Sequence, residues 1–136
     1  MGAKKAAAAR PLNVLVVEDD VDVARTLRAI LELLGHHPRV VHLGRDAIAA
    51  ALEDRPDVLL CDIGLPGGMD GYEVARRFRA DPLLSSVHLI AVTGWGHPDD
   101  RRKALEAGFN LHLTKPVGPE RLQAVLAAVP QLPPRS

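Results

Sequence analysis

Four polar residues stand at the ends of separate apolar runs: Asp19 beyond LNVLVV, Asp62 after DVLLC, Thr93 after HLIAV and Lys115 after NLHLT. A short Val-, Leu- and Ile-rich run bounded by turn or helix signals reads as a strand of a buried parallel sheet. In an open α/β sheet, ligands bind outside the carboxyl ends of the strands. Four segments therefore bring two carboxylates, a hydroxyl and an ammonium to one edge. That set suits a divalent cation held beside a phosphoryl group.

Glu18, Asp19 and Asp20 are consecutive where the first run ends. Carboxylates that share a site repel, and one of them protonates unless a cation neutralises the cluster. Magnesium is the economical cation, since it takes oxygen ligands, keeps waters and commonly uses one or two carboxylates together with phosphate oxygens. The competing reading is a helix N-cap acid. The N-cap reading is preferred for Asp20, and the metal reading for Asp19 with Asp62. A Thr hydroxyl can donate to a phosphoryl oxygen, and a Lys ammonium is a mobile point charge suited to phosphate. Taken singly, Thr93 would be structural and Lys115 solvated; their arrival at the same edge as the acids moves both toward chemistry.

Other phosphate and metal chemistries lack their motifs. The chain has no G-x-x-x-x-G-K-[ST] cradle, and no G-x-G-x-x-G follows the first run. A phosphohydrolase built on an Asp-x-Asp pair would need a second carboxylate two residues after Asp62, where Gly64 stands. The six histidines are scattered, and His36–His37 with the single Cys61 make no zinc spacing.

The elements that must position these groups alternate along the chain. Strands are expected at Leu12–Val17, Arg39–His42, Val58–Cys61, Val87–Val92 and Leu111–Leu113. The first helix carries Val23, Leu27, Ile30, Leu31 and Leu34 at helical spacing and stops at Gly35; the second carries Ala47, Ile48, Ala51 and Leu52. The loop GLPGGMDG leads to a helix with Val74, Ala75 and Phe78; Asp99–Ala107 forms a fourth, closed by Gly108. The last begins near Pro119, with Leu122, Val125, Leu126 and Val129 on one side. Five strand–helix alternations with right-handed crossovers give a parallel sheet covered on both faces. The flavodoxin-like α/β solution, a doubly wound five-stranded sheet of order 2-1-3-4-5, places strands 1 and 3 side by side, and with them Asp19 and Asp62. Residues 1–11 read as a flexible lead-in, 12–129 as one domain and 130–136 as a proline-rich tail.

Composition narrows the partners. Seventeen basic residues balance seventeen acidic ones, so no surplus favours nucleic acid. The clusters Arg76, Arg77, Arg79 and Arg101, Arg102, Lys103 read as solvated helix faces. Aromatics are only 3% of the chain, which leaves the core to Val, Leu, Ile and Ala. Cys61 cannot form an internal disulfide and reads as a small buried hydrophobe beside Asp62. No apolar stretch reaches the roughly 18–20 residues of a membrane span. Ala6 stands where a myristoylation motif needs Ser or Thr. A cytoplasmic location is expected.

The strings LVVEDD, LLCDIGLPGGMDGYEVARR, IAVTGWG and LTKPV, in this order and spacing from about Leu12 to Val129, resemble the receiver domain of two-component response regulators. ELLGHHPRV and GFNLHLTKPV are similar in style to receivers of hybrid histidine kinases. The resemblance implies that Asp62 accepts a phosphoryl group from a phosphohistidine of a histidine kinase or histidine phosphotransfer domain. It implies that Asp19, Asp62 and the Gly64 carbonyl bind magnesium, Glu18 acting through a water, while Thr93 and Lys115 bind the phosphoryl oxygens. A cis Lys115–Pro116 peptide is expected on the same ground. The implied output is a protein-binding surface switched toward an unknown downstream protein, with no enzymatic activity beyond turnover of its own phosphoryl group.

Three positions depart from the family pattern. Gly67 and Gly68 lengthen the loop after Asp62 by one residue. His112 stands where an aromatic rotor is usual, which puts the aromatic switch coupling in question. Trp95 occupies a position that tunes phosphoryl lifetime. With no side chain at Gly64 to orient water, and Trp95 able to lie over the opening, slow dephosphorylation is expected; Trp95 reads equally as part of a partner surface. Two rival functions remain, a magnesium-dependent phosphohydrolase and an interaction module that is never phosphorylated.

Overall fold

The computed structural model describes residues 10–94 and 98–130. Five strands alternate with five helices: β1 (Asn13–Val17), α1 (Val21–Leu33), β2 (His37–Val41), α2 (Gly44–Glu53), β3 (Val58–Asp62), α3 (Gly71–Ala80), β4 (His88–Thr93), α4 (Pro98–Ala107), β5 (Leu111–Thr114) and α5 (Pro119–Ala127). The strands form one sheet in the order β2-β1-β3-β4-β5, every pair parallel. This is the flavodoxin-like arrangement, with Val17 of β1 in register with Cys61 of β3.

Alternation along each strand explains why the runs look continuously apolar. Leu15, Val17, Leu59, Cys61, Leu89 and Ala91 pack with Ala47, Val74, Phe78 and Ala104 on the face covered by α2, α3 and α4. Val14, Val16, Leu60, Ile90, Val92 and Leu113 pack with Leu27 and Leu31 of α1 and Leu122 and Leu126 of α5 on the other. Both faces are buried, so both sets of alternating residues are apolar. Among the described residues, no helix is long and apolar enough to cross a membrane.

The largest boundary difference lies at β2, which runs from His37 to Val41 rather than from Arg39 to His42. Proline argues against a strand interior because it cannot donate to the ladder. This strand lies at the sheet edge, where Pro38 is tolerated opposite Val14. At the chain end, α5 stops at Ala127, and Val129 is buried beyond it, its N–H donating to the Leu126 carbonyl at 3.2 Å. Residues 1–9 of the expected lead-in and 131–136 of the expected tail lie outside the described residues.

Arg79 overturns its reading as a solvated charge. Its guanidinium donates to the carbonyls of Gly108 at 2.9 Å, Ser85 at 2.7 Å and Val87 at 2.8 Å, and to the Asn110 side chain at 2.8 Å. The side chain thus ties the end of α3 to the entrances of β4 and β5. Helical spacing reveals no such clamp, because the acceptors come from distant backbone. Arg79→Ala should lower unfolding free energy by roughly 2–3 kcal/mol, since it strands the part-buried carbonyls of Gly108 and Val87 and removes two further hydrogen bonds. Urea denaturation checks this, with Arg76→Ala, an exposed neighbour, expected to change stability by less than about 0.5 kcal/mol.

Candidate functional site

The carboxyl edge of the sheet collects the polar residues because every apolar run ends there. Asp62 is the last residue of β3 and Thr93 the last of β4; both are buried. Immediately past β1, Glu18 is buried and Asp19 exposed. Lys115 follows β5, and its backbone N–H donates to the Thr93 carbonyl at 2.7 Å, fixing the two strand ends together. The Lys115–Pro116 peptide is cis, as expected.

Carboxylate oxygens of Glu18, Asp19 and Asp62 lie within 4.8 Å of one another. The Lys115 ammonium sits 2.7 Å from Glu18 Oε1 and 3.7 Å from Asp62 Oδ2. The other Glu18 oxygen accepts the Asp20 backbone N–H at 3.1 Å. The Gly64 N–H reaches Asp62 Oδ1 at 3.4 Å. Asp20 turns to the helix, its Oδ1 accepting from the N–H groups of Asp22 at 3.0 Å and Val23 at 3.2 Å. It is the N-cap of α1, in keeping with the preferred reading.

Electrostatics follow from this crowding. Burial, and then the Glu18 charge, push the Asp62 carboxyl up to about 6, against the opposing pull of Lys115. Burial alone would lower the Lys115 ammonium, but the Glu18 hydrogen bond and the Asp62 charge hold it above its ordinary range. A cluster with one lysine for three acids remains short of positive charge, and its donors are all hard oxygens. The residues therefore fit a magnesium ion. Cys61 is inert here, because burial and the adjacent Asp62 raise its thiol well above the usual range.

Glycines shape the surroundings. A Cβ on Gly71 would meet the Asp62 carbonyl oxygen at 2.5 Å, so α3 can start against the end of β3 only with glycine there. Gly67 and Gly68 both hold φ of +87°, a left-handed conformation that glycine adopts without strain. A Cβ on Gly64 would meet nothing within 4 Å.

His112 lies on β5 opposite Ala91, its Nε2 buried without a hydrogen-bond partner among the described residues. Burial lowers its pKa, so the ring is held toward the neutral form. Trp95 lies outside the described residues. Sequence reading did not identify Tyr72 of α3 or Asp100 and Lys103 of α4, which line a 410 Å³ cavity together with Asp62, Gly64 and Thr93. Charged residues on a helix face give no sequence signal that separates a cavity wall from a solvated surface.

A parallel sheet of this order with an acid cluster at its switch point defines a class, and comparison with known proteins names it. The sequence model of the response regulator receiver domain matches residues 14–127, and the chain belongs to that family. It is 37% identical over 111 residues to an uncharacterized 14.6 kDa protein in the sodA1 3′ region of Leptolyngbya boryana, covering 82% of this chain and 84% of that one. It is 33% identical over 117 residues to the phosphate regulon transcriptional regulatory protein PhoB of Pseudomonas aeruginosa, covering 86% of this chain but only 51% of that regulator. Among solved structures, the receiver domain of sensor histidine kinase PA1611 from P. aeruginosa, with a magnesium ion coordinated in its active site cleft, superposes with a TM-score of 0.81. That match has 33% identity and covers 88% of this chain and 98% of that one.

Proposed function

We propose that this domain is a phosphoacceptor in two-component signalling and that Asp62 receives the phosphoryl group from a phosphohistidine of a histidine kinase or histidine phosphotransfer domain. The observation that carries this reading is the placement of the Asp62 carboxylate among Glu18, Asp19 and the Lys115 ammonium at the switch point. Asp19, Asp62 and the Gly64 carbonyl would hold magnesium, with Glu18 acting through a water because both its oxygens already have partners. Bound there, the ion supplies neutralisation of the carboxylates and of the phosphoryl oxygens.

The protein's own groups do the rest. Asp62, held by the Gly64 N–H, presents one oxygen to phosphorus. The Lys115 ammonium, on a flexible stem between Glu18 and Asp62, turns to the incoming phosphoryl oxygens. The Thr93 hydroxyl donates to another, and the shift of its loop biases a surface toward a downstream protein. His112, opposite Ala91 on β5, and Pro116, next to Lys115, are tuning positions. A cytoplasmic setting accords with a kinase partner.

Incubation with magnesium and beryllofluoride separates the readings. A phosphoacceptor forms a saturable complex that Asp62→Ala abolishes; an interaction module forms none. A phosphohydrolase would turn over an added phosphomonoester catalytically, and no turnover is expected here. Gly64 bears no side chain to align a hydrolytic water, so Gly64→Asn, which the open space accommodates, should shorten the aspartyl phosphate lifetime about threefold or more. Loss of the phosphorylated species, followed by intact mass, checks this; an unchanged lifetime would show that water alignment at this position is not limiting.

A further inference from the structure

Two spaces open at the carboxyl edge, and they divide the lysines. Lys115 and Pro116 line a groove of about 270 Å³ against α1. The 410 Å³ cavity on the other side of the edge is lined by Asp62, Gly64 and Thr93 from the strand ends, Tyr72 from α3, and Asp100 and Lys103 from α4. Its volume falls within the range of about 300–1,000 Å³ usual for small-molecule sites, more than a phosphoryl group alone requires. Lys115 is already engaged by Glu18 and Asp62, whereas Lys103 is exposed and pairs with no acid among the described residues. Arg102 beside it is committed to Asp99 and Glu106.

We propose that Lys103, on the wall of this cavity, is a specificity-determining residue that favours acyl phosphates over phosphoramidate as small phosphodonors. The inference rests on Asp62 being the phosphoacceptor. In the transfer, an Asp62 oxygen forms a bond to phosphorus while the bond from phosphorus to the bridging oxygen breaks. The electron pair leaves with the acyl carboxylate, no proton moves, and the products are aspartyl phosphate and a free carboxylate. Negative charge thus grows on the bridging oxygen, and a cation on the cavity wall favours that charge over the ground state. Asp100, one helical turn away on the same wall, opposes it. Phosphoramidate is the control donor, because its nitrogen is already protonated and leaves as neutral ammonia.

The test measures phosphorylation rate constants with magnesium and either acetyl phosphate or phosphoramidate. Lys103→Ala should slow acetyl phosphate about three- to fivefold, the size of one screened surface charge, and leave phosphoramidate within about twofold. Asp100→Asn should speed acetyl phosphate, and Lys103→Arg should retain the wild-type preference. Equal slowing with both donors, or no change with either, would overturn the assignment of Lys103. Wild-type protein that accepts from neither donor would overturn the phosphoacceptor reading itself and this inference with it. Circular dichroism of each variant checks that substitution of exposed Lys103 and half-buried Asp100 leaves the fold intact.

Discussion

Asp62→Asn should eliminate phosphorylation by every donor and, in the presence of a chelator, make the protein more stable at neutral pH. Loss of activity follows because no other carboxylate at this edge combines burial at a strand end with a lysine ammonium within 3.7 Å and the N–H of the second following residue. The stability gain follows from linkage. Folding raises the Asp62 carboxyl from 3.8 to about 6, so the folded state prefers the protonated acid. The ionised carboxylate therefore costs nothing below pH 4, an increasing amount between pH 4 and 6, and its full penalty above 6. The amide removes that penalty while preserving shape, for a gain of roughly 1–3 kcal/mol at neutral pH that vanishes near the unfolded carboxylate range. Thermal denaturation of both proteins across this pH window checks the sign. A variant less stable than wild type at neutral pH would mean that Asp62 is stabilised by its partners.

The second large effect is on magnesium. Asp19→Asn should weaken magnesium binding about tenfold or more, since it removes one of the two carboxylates proposed as direct ligands. Its effect on metal-free stability should be small, within about 0.5 kcal/mol, because Asp19 is exposed and acts on Asp62 less than Glu18 does. Relief of repulsion therefore belongs to Asp62, and metal affinity to Asp19 and Asp62 together. Isothermal titration with magnesium measures the affinity. Wild-type affinity in Asp19→Asn would remove Asp19 from the ligand set.

Much of this was legible in the sequence because the chemistry sits at the ends of apolar runs. Periodicity located β1, β3, β4 and β5 within one residue at each end, and the carboxyl-edge rule then placed Asp62, Thr93 and Lys115 without knowledge of any contact. The resemblance of LVVEDD, IAVTGWG and LTKPV supplied the family and the expected roles. The edge strand β2 was displaced because Pro38 signals a break in any interior strand, and only the sheet order reveals that this one lies at an edge. Arg79 and Lys103 were hidden for a shared reason. Both belong to charged helical runs, and whether such a side chain bends onto backbone carbonyls, faces a cavity or meets water depends on packing between helices. Glu18 was assigned a water-mediated role, but its ion pair with Lys115 at 2.7 Å crosses from β1 to β5, a contact that chain order does not encode.

The account turns on a single covalent bond, and localising it is the direct test. Wild-type protein incubated with magnesium and acetyl phosphate, then digested and sequenced by mass spectrometry, should carry one phosphoryl group. That group should be labile to hydroxylamine and confined to the peptide containing Asp62. A phosphoryl group on another residue, or none under conditions in which a known receiver domain is modified, would contradict it.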